Sequence, residues 1–363
     1  MAETRTLRNF ASPADIIKTV LVVLVTAAVA VSGFNLLKAN TLSQVPTTLL
    51  AIVWGVSSVV LIFYSLNLLA QIFPTKIYNK IVPYIFIGPA VLIMGWYLFL
   101  PTLRSLMLSF MDKSSTKFVW FANYKYLFTD RSMLVSIRNT LIWLVLGTGF
   151  SVLIGLLVAI LAERSYIEKG AKTFVFLPMS ISLVGAGVIF KFMYSAKFGG
   201  AEQIGLLNSI VTSLGFAPQN WLGKAPWNNL FLIAIFVWLQ TGFAMVVLSA
   251  ALKAVPEEML EAARIDGAGE LTTLVKIVIP NIRASIISVS TTILLAALKC
   301  FDIVYSMTNG MFGTEVLASQ QYKQMFTFQN YGRGSAIAIL ILIGVSPVIY
   351  YNLKEFHNKE AFK

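Results

Sequence analysis

Catalysis needs nucleophiles, acid–base pairs or metal ligands, and this chain is short of all three. It has one cysteine, Cys300, and one histidine, His357. That rules out an internal disulfide and any Cys/His metal cluster. His357 falls in a polar tail, a poor setting for a Ser-His-Asp triad. No GxxxxGK[ST] loop offers backbone amides to a phosphate, so any ATP used is hydrolysed by another chain. No cofactor or metal site is expected in this one.

The residues with most to say lie between Lys253 and Pro280. Pro256 suits the first turn of a helix, where its missing N–H costs nothing. Glu257 and Glu258 follow, favourable against the positive end of the helix dipole. Met259, Leu260, Ala262, Ala263 and Ile265 supply an apolar face with small residues for close approach. Gly267 and Gly269 end the helix and turn the chain. A second amphipathic stretch runs from Leu271 to Ile279 and stops at Pro280. On residue chemistry alone this knob is either a docking element or an interfacial loop lying on lipid headgroups.

The elements that carry this knob are apolar. Of 363 residues, 57% are hydrophobic and 12% charged. Soluble domains hold roughly twice that charged share, so lipid must be part of the solvent. Eight apolar segments lie near residues 16–37, 48–73, 82–106, 134–162, 172–195, 228–252, 281–301 and 334–353. Each is long enough for a ~30 Å hydrocarbon core. The fold class is therefore all-α and integral to a membrane, with about eight transmembrane helices. The first apolar run is too long for a cleaved signal peptide and reads as a retained helix. The net charge of +12 suits anionic headgroups rather than nucleic acid, since no basic stripe interleaves with aromatics. Arg5, Arg8 and Lys18, Lys76 and Lys80, Arg164, Lys169 and Lys172, and Lys354, Lys359 and Lys363 flank one side of the spans. The positive-inside rule then places both termini, and the Lys253–Pro280 knob, in the cytoplasm.

The spacing inside the knob is specific. Glu261-Ala262-Ala263, three residues, Gly267, nine residues, Ile277, one residue and Ile279-Pro280 resembles the EAA loop of binding-protein-dependent ABC importer permeases. Ile279 stands where Leu is usual. Phe118 to Tyr124, Phe176-Leu177-Pro178, Phe301 to Gly310 and Tyr331 to Ala336 resemble further segments of the carbohydrate branch. Where many members continue Thr-x-Gly-Gly-Pro, this chain has Met311 to Val316. With Ile204 to Asn208 and Gln240 to Phe243, that departure resembles the α-glucoside and glucosylglycerol permeases. The likeness covers residues 80–355; the first 80 are similar to the larger maltose permease subunit by topology alone.

The resemblance implies a type I ABC importer permease fold. Residues 1–80 form an N-terminal extension with two transmembrane helices. Residues 81–355, opening at Ile81-Val82-Pro83-Tyr84, form a six-helix core whose coupling helix lies near 256–267, and 356–363 are a cytoplasmic tail. Glu257, Glu261, Ala262, Ala263, Arg264, Asp266 and Gly267 would meet the ATPase, which binds ATP and Mg. Trp238, Leu239, Gln240 and Phe243, with Ala296, Ala297 and Cys300, fall where the maltose permease's sugar contacts lie. Trp238 and Phe243 offer faces for stacking, and Gln240 and Thr241 offer polar groups for hydroxyls. Ala296, Ala297 and Cys300 are apolar where that relative has amides, which shifts part of the sugar site to a partner permease. The implied partners are a second homologous permease, an ATPase dimer, an extracytoplasmic sugar-binding protein and membrane lipid, with no nucleic acid. The implied location is the bacterial plasma (inner) membrane.

Two rival readings stand beside this. A self-sufficient secondary transporter needs ionisable coupling groups in its spans, and Lys299 and Asp302 are the candidates. Their spacing of three suits a structural ion pair or a snorkelling Lys better than a proton relay. A lipid-linked membrane enzyme needs paired carboxylates or a metal at the interface, and none is evident.

Overall fold

The computed structural model describes residues 11–39, 43–163 and 165–360, with side chains described through Tyr351 and at Lys354. Arg5, Arg8, Arg164 and Lys363, invoked above for orientation, lie outside the described residues, as do the side chains of His357 and Lys359.

Six helices are long and apolar enough to cross a bilayer: Pro13–Ala39, Gln44–Gln71, Thr75–Leu108, Arg131–Glu163, Trp227–Lys253 and Tyr331–Tyr351. Two further pairs qualify as bent spans. Glu168–Ser180 meets Leu183–Met193 at 101°, and Glu270–Asn281 meets Arg283–Lys299 at 70°. Counting each bent pair once gives eight spans, numbered here in chain order, and the fold is the expected all-helical membrane architecture.

The fifth segment, read from the sequence as one Pro-containing span, is broken. Pro178 lacks an N–H, the helix tightens over Leu177–Ser180, and Ile181 goes extended at φ −86° and ψ 135°. Ser182 then caps a new helix by accepting from the Gly185 amide at 3.0 Å. The second bend falls at Ile282, two residues past Pro280.

The chain divides into two compact units, Met1–Leu103 and Arg104–Lys363. In the first, the pairing of spans 1 and 2 is anchored by a 2.7 Å hydrogen bond between Thr26 and Ser65. The Trp54 indole donates to the Val29 carbonyl at 3.1 Å. Such bonds hold helices together where lipid tails remove the hydrophobic drive.

The second unit is organised on span 6. Leu232, Ile235, Phe236, Met245 and Leu248 are fully buried with Trp143, Val289, Ile293 and Ile303. Gly155 of span 4 lets the two helices approach closely, since a Cβ there would lie 2.9 Å from the Met245 backbone nitrogen. At the far end from the knob, buried asparagines pin the segment that departs from the Thr-x-Gly-Gly-Pro pattern. The Asn139 side chain donates to the carbonyls of Gly313 (2.7 Å) and Glu315 (2.8 Å), and that of Asn228 to Phe312 (2.9 Å). Between spans 3 and 4, Asp112 closes a turn by accepting from the Thr116 amide at 2.7 Å, which holds its carboxyl below the usual carboxylate range.

Candidate functional site

The knob's helix begins one residue past Pro256, which the sequence places in its first turn. Pro256 sits at the cap position with extended ψ of 132°, and the helix Glu257–Ile265 follows with two carboxylates in its first turn. Its end is a Schellman motif. Gly267 adopts φ +76°, its amide donates to Arg264 at 3.1 Å, and the Ala268 amide donates to Ala263 at 2.9 Å. A Cβ at that φ would be strained, so glycine here is a backbone requirement. The Asn281 side chain reaches back to the Met259 sulfur at 3.5 Å, tying the returning helix to the knob.

The apolar residues of this helix do not all turn inward. Ala263 is buried and Leu260 half-buried, whereas Met259, Ala262 and Ile265 are exposed. Ile265 is 86% exposed and Leu271, just beyond the glycine turn, 77%. Glu257, Glu261, Arg264, Asp266 and Gly267 are exposed as well. A helix closed at its C-terminus by the Schellman turn thus presents a small-residue surface rimmed by apolar and charged groups. Behind it lies a cavity of about 220 Å³, lined among others by Glu163, Leu252, Leu260, Arg264 and Ala268.

A charged network beside the knob escaped the sequence reading. Glu168, at the start of span 5, accepts from Lys172 at 2.6 Å and from Lys253, at the end of span 6, at 2.5 Å. Ser249 donates to Glu163 of span 4 at 2.8 Å, and Lys172 contacts both Ser249 and Glu163. Two carboxylates and two ammonium groups therefore balance across the ends of three spans. The i, i+4 spacing of Glu168 and Lys172 was a visible signal. Glu163 and Lys253 are distant in sequence, and only the fold brings them in.

The residues assigned to a sugar path are divided. Leu239, Ala297 and Cys300 are buried in the core, while Trp238, Gln240, Phe243 and Ala296 are half-buried. Residues two apart on a helix do not share a face, and Trp238 and Gln240 part accordingly. Trp238 packs edge-on against Phe190 at 5.2 Å and lines a groove of about 850 Å³ with Ile154, Val158, Phe174, Pro178 and Thr241. The Thr241 hydroxyl donates to the Val237 carbonyl at 2.7 Å. Gln240 is the fourteenth residue of the 27-residue span 6. Among the described residues its amide has no hydrogen-bond partner.

Lys299 and Asp302 form no ion pair among the described residues. The helix ends at Lys299, Cys300 is extended with ψ 101°, and Asp302 opens a separate helix, Asp302–Met307. Helical spacing therefore does not apply across them.

Eight apolar spans with a helical knob between the sixth and seventh define a multi-span membrane protein. The chain belongs to the binding-protein-dependent transport system inner membrane components, whose family model matches residues 151–361. The osmoprotective compounds uptake permease protein GgtC of Synechocystis sp. is 51% identical over 278 residues, 77% of this chain and 100% of that protein. The alpha-glucoside transport system permease protein AglF of Rhizobium meliloti is 42% identical over 327 residues, 86% of this chain and 97% of that protein. A chain of a bacterial alginate ABC transporter shares the fold at TM-score 0.66 and 20% identity, over 76% of this chain and 94% of that one. The protein is thus a permease subunit of an ABC importer, set in the inner membrane and not itself an enzyme. The reading as a self-sufficient secondary transporter falls with this.

Proposed function

We propose that the chain forms, with a second homologous permease, the membrane path for a sugar. The substrate class is an α-glucoside, such as a disaccharide or glucosylglycerol. An extracytoplasmic binding protein delivers it, and an ATPase dimer that binds ATP and Mg drives its passage. The name of the R. meliloti relative supports an α-glucoside. Both termini and the knob face the cytoplasm, as the flanking Lys and Arg favour. The ATPase meets Glu257, Glu261, Ala262, Ala263, Arg264, Asp266 and Gly267.

The observation that carries the reading is the exposed face of Glu257–Ile265. Ala262 leaves room for close approach, and Ile265 and Leu271 stand out uncovered on either side of the Gly267 turn. Covering such groups releases roughly 25 cal/mol per Å² of apolar area. Mid-membrane, Gln240 supports the sugar path, because a half-buried amide within a span needs a partner from another helix or a ligand. Trp238, Leu239, Phe243, Ala296, Ala297 and Cys300 complete the proposed substrate set. Leu239, Ala297 and Cys300 act in it from the core, by shaping the spans around the path.

The test is ATP hydrolysis by the assembled importer in proteoliposomes, stimulated by sugar-loaded binding protein. Glu261→Lys reverses a charge on the docking face. It abolishes the stimulation or releases the ATPase, while the membrane part stays inserted. Normal stimulation in that variant would overturn the assignment of the knob.

A further inference from the structure

The knob is joined to span 6 by three residues, Ala254 to Pro256, so Lys253 is the last side chain of its stem. That side chain is taken by Glu168, the first residue of span 5. The inner half of span 5, Glu168–Ser180, is then seated on span 6 a second time. Gly242 lies so near it that a Cβ there would sit 2.7 Å from the Val175 carbonyl and 2.9 Å from the Phe176 Cα. Two fixings, one ionic and one of backbone on backbone, make this half-span and span 6 a single body. The outer half, Leu183–Met193, is held differently. It meets span 6 through the ring edge of Phe190 on Trp238; just past its end Tyr194 packs edge-on against Phe231 and donates to the Phe231 carbonyl at 3.1 Å, and Gly187 lies against Ser306. The 101° break falls between the two halves. Phe174, Val175, Leu177, Pro178 and Ser180 of the inner half form one wall of the groove that holds Trp238.

We propose that Glu168, clamped by Lys253 and Lys172, is a positioning residue that makes the inner half of span 5 follow the knob. Displacement of the knob is thereby passed to the groove wall rather than absorbed in the stem. The inference rests on the reading of Glu257–Ile265 as the ATPase-coupling helix. The pair is ill-suited to a purely stabilising role. The Lys253 side chain is 57% exposed, and solvent screens an exposed ion pair so that it adds little to stability. What such a pair supplies is register between two helix ends, both of which carry moving parts.

The experiment compares Glu168→Gln, Lys253→Met and the double variant in the reconstituted importer, reading sugar moved per ATP hydrolysed. Each single variant lowers that ratio about fivefold, the low end for coupling between sites. The double variant loses no more than either single, and Lys253→Arg restores it. An unchanged ratio in both singles, or losses that multiply in the double, overturns the clamp. If the unsubstituted complex shows no sugar-dependent coupling, the proposed function fails instead. The clamp is then read without sugar, in the full-length chain with Cys300→Ser. Spin labels at Lys169→Cys and Glu258→Cys give one narrow distance, and adding Glu168→Gln broadens it. The same narrow distance with and without Glu168 overturns the clamp.

Discussion

Spans 1 and 6 are matched in length at 27 residues, and both qualify as membrane spans by apolarity. Yet 6% of the apolar window of span 1 is buried within the protein, against 56% for span 6. Span 2 resembles span 1, at 11%. The first pair uses a Thr–Ser bond, one indole bond and the close seat of Trp54 on Gly33 to hold together, and shows Val, Leu and Ile elsewhere. Span 6 is met by two glycines of span 4, Gly147 against Phe236 and Gly155 against Ala244 and Met245. Apolarity therefore fixes which helices sit in lipid. The small residues Gly147 and Gly155 of span 4 decide how closely that helix seats on span 6.

The largest effect that would sharpen this contrast is at Gly155. A leucine there would have to occupy space held by Ala244 and the Met245 backbone, neither of which can swing aside. Overpacking of this kind costs about 1–3 kcal/mol. Gly155→Leu lowers the yield and melting temperature of the purified complex, whereas Gly55→Leu in span 2, where a Cβ meets nothing within 4 Å, leaves both unchanged. Equal losses at the two sites would erase the distinction between a working body and a lipid-solvated pair.

A smaller effect separates two faces of span 6. Trp238 lies in the groove against Phe190, and Gln240 points elsewhere with its amide free among the described residues. Trp238→Ala removes packing and slows uptake of every sugar tested. Gln240→Leu removes a donor and an acceptor worth about 0.5–1.5 kcal/mol, a shift of roughly two- to tenfold. That loss appears as altered preference among α-glucosides. The check is a competitive uptake panel with each assembled variant. A uniform slowing by both would place them in one role.

The helical knob was legible in the sequence because it is local. Pro256, the acidic first turn, Ala263 and Gly267 lie within twelve residues, and each dictates its own backbone state. The Schellman turn at Gly267 is the residue spacing made visible. The eight spans were legible for the same reason, since apolar length is a property of one segment. The bend in span 5 was half-legible. Pro178 signals a disturbance, but Ser182 restarting a helix at 101° depends on the packing of Gly187 against Ser306. The burial of the residues proposed for the sugar path was least legible, because Leu239 and Gln240 are neighbours in sequence and differ in burial by which helix stands beside each. Glu168 was missed because its partner Lys253 is 85 residues away.

The smallest effect concerns spans 1 and 2 themselves. Two of their polar contacts join them to each other, Thr26 to Ser65 and Trp54 to Val29, and Tyr78 of span 3 donates to Asn67 of span 2 at 3.1 Å. The 278 residues matched in the Synechocystis relative cover that protein end to end, so about a quarter of the present chain has no counterpart there. Deleting residues 1–75 removes two spans, an even number, and so keeps the sign of the charge bias and the direction of the remaining helices. Expression falls, because lipid-facing packing and an insertion signal are lost. Sugar moved per ATP by the complexes that do assemble stays within about twofold of the full-length value, less than the fivefold expected of a coupling residue. The measurement is uptake and hydrolysis on the same proteoliposome batch, scaled to ATPase content. Assembled complexes that hydrolyse ATP yet move no sugar would show that the first two helices belong to the working body after all, and that sparse burial is no guide to which spans transport depends on.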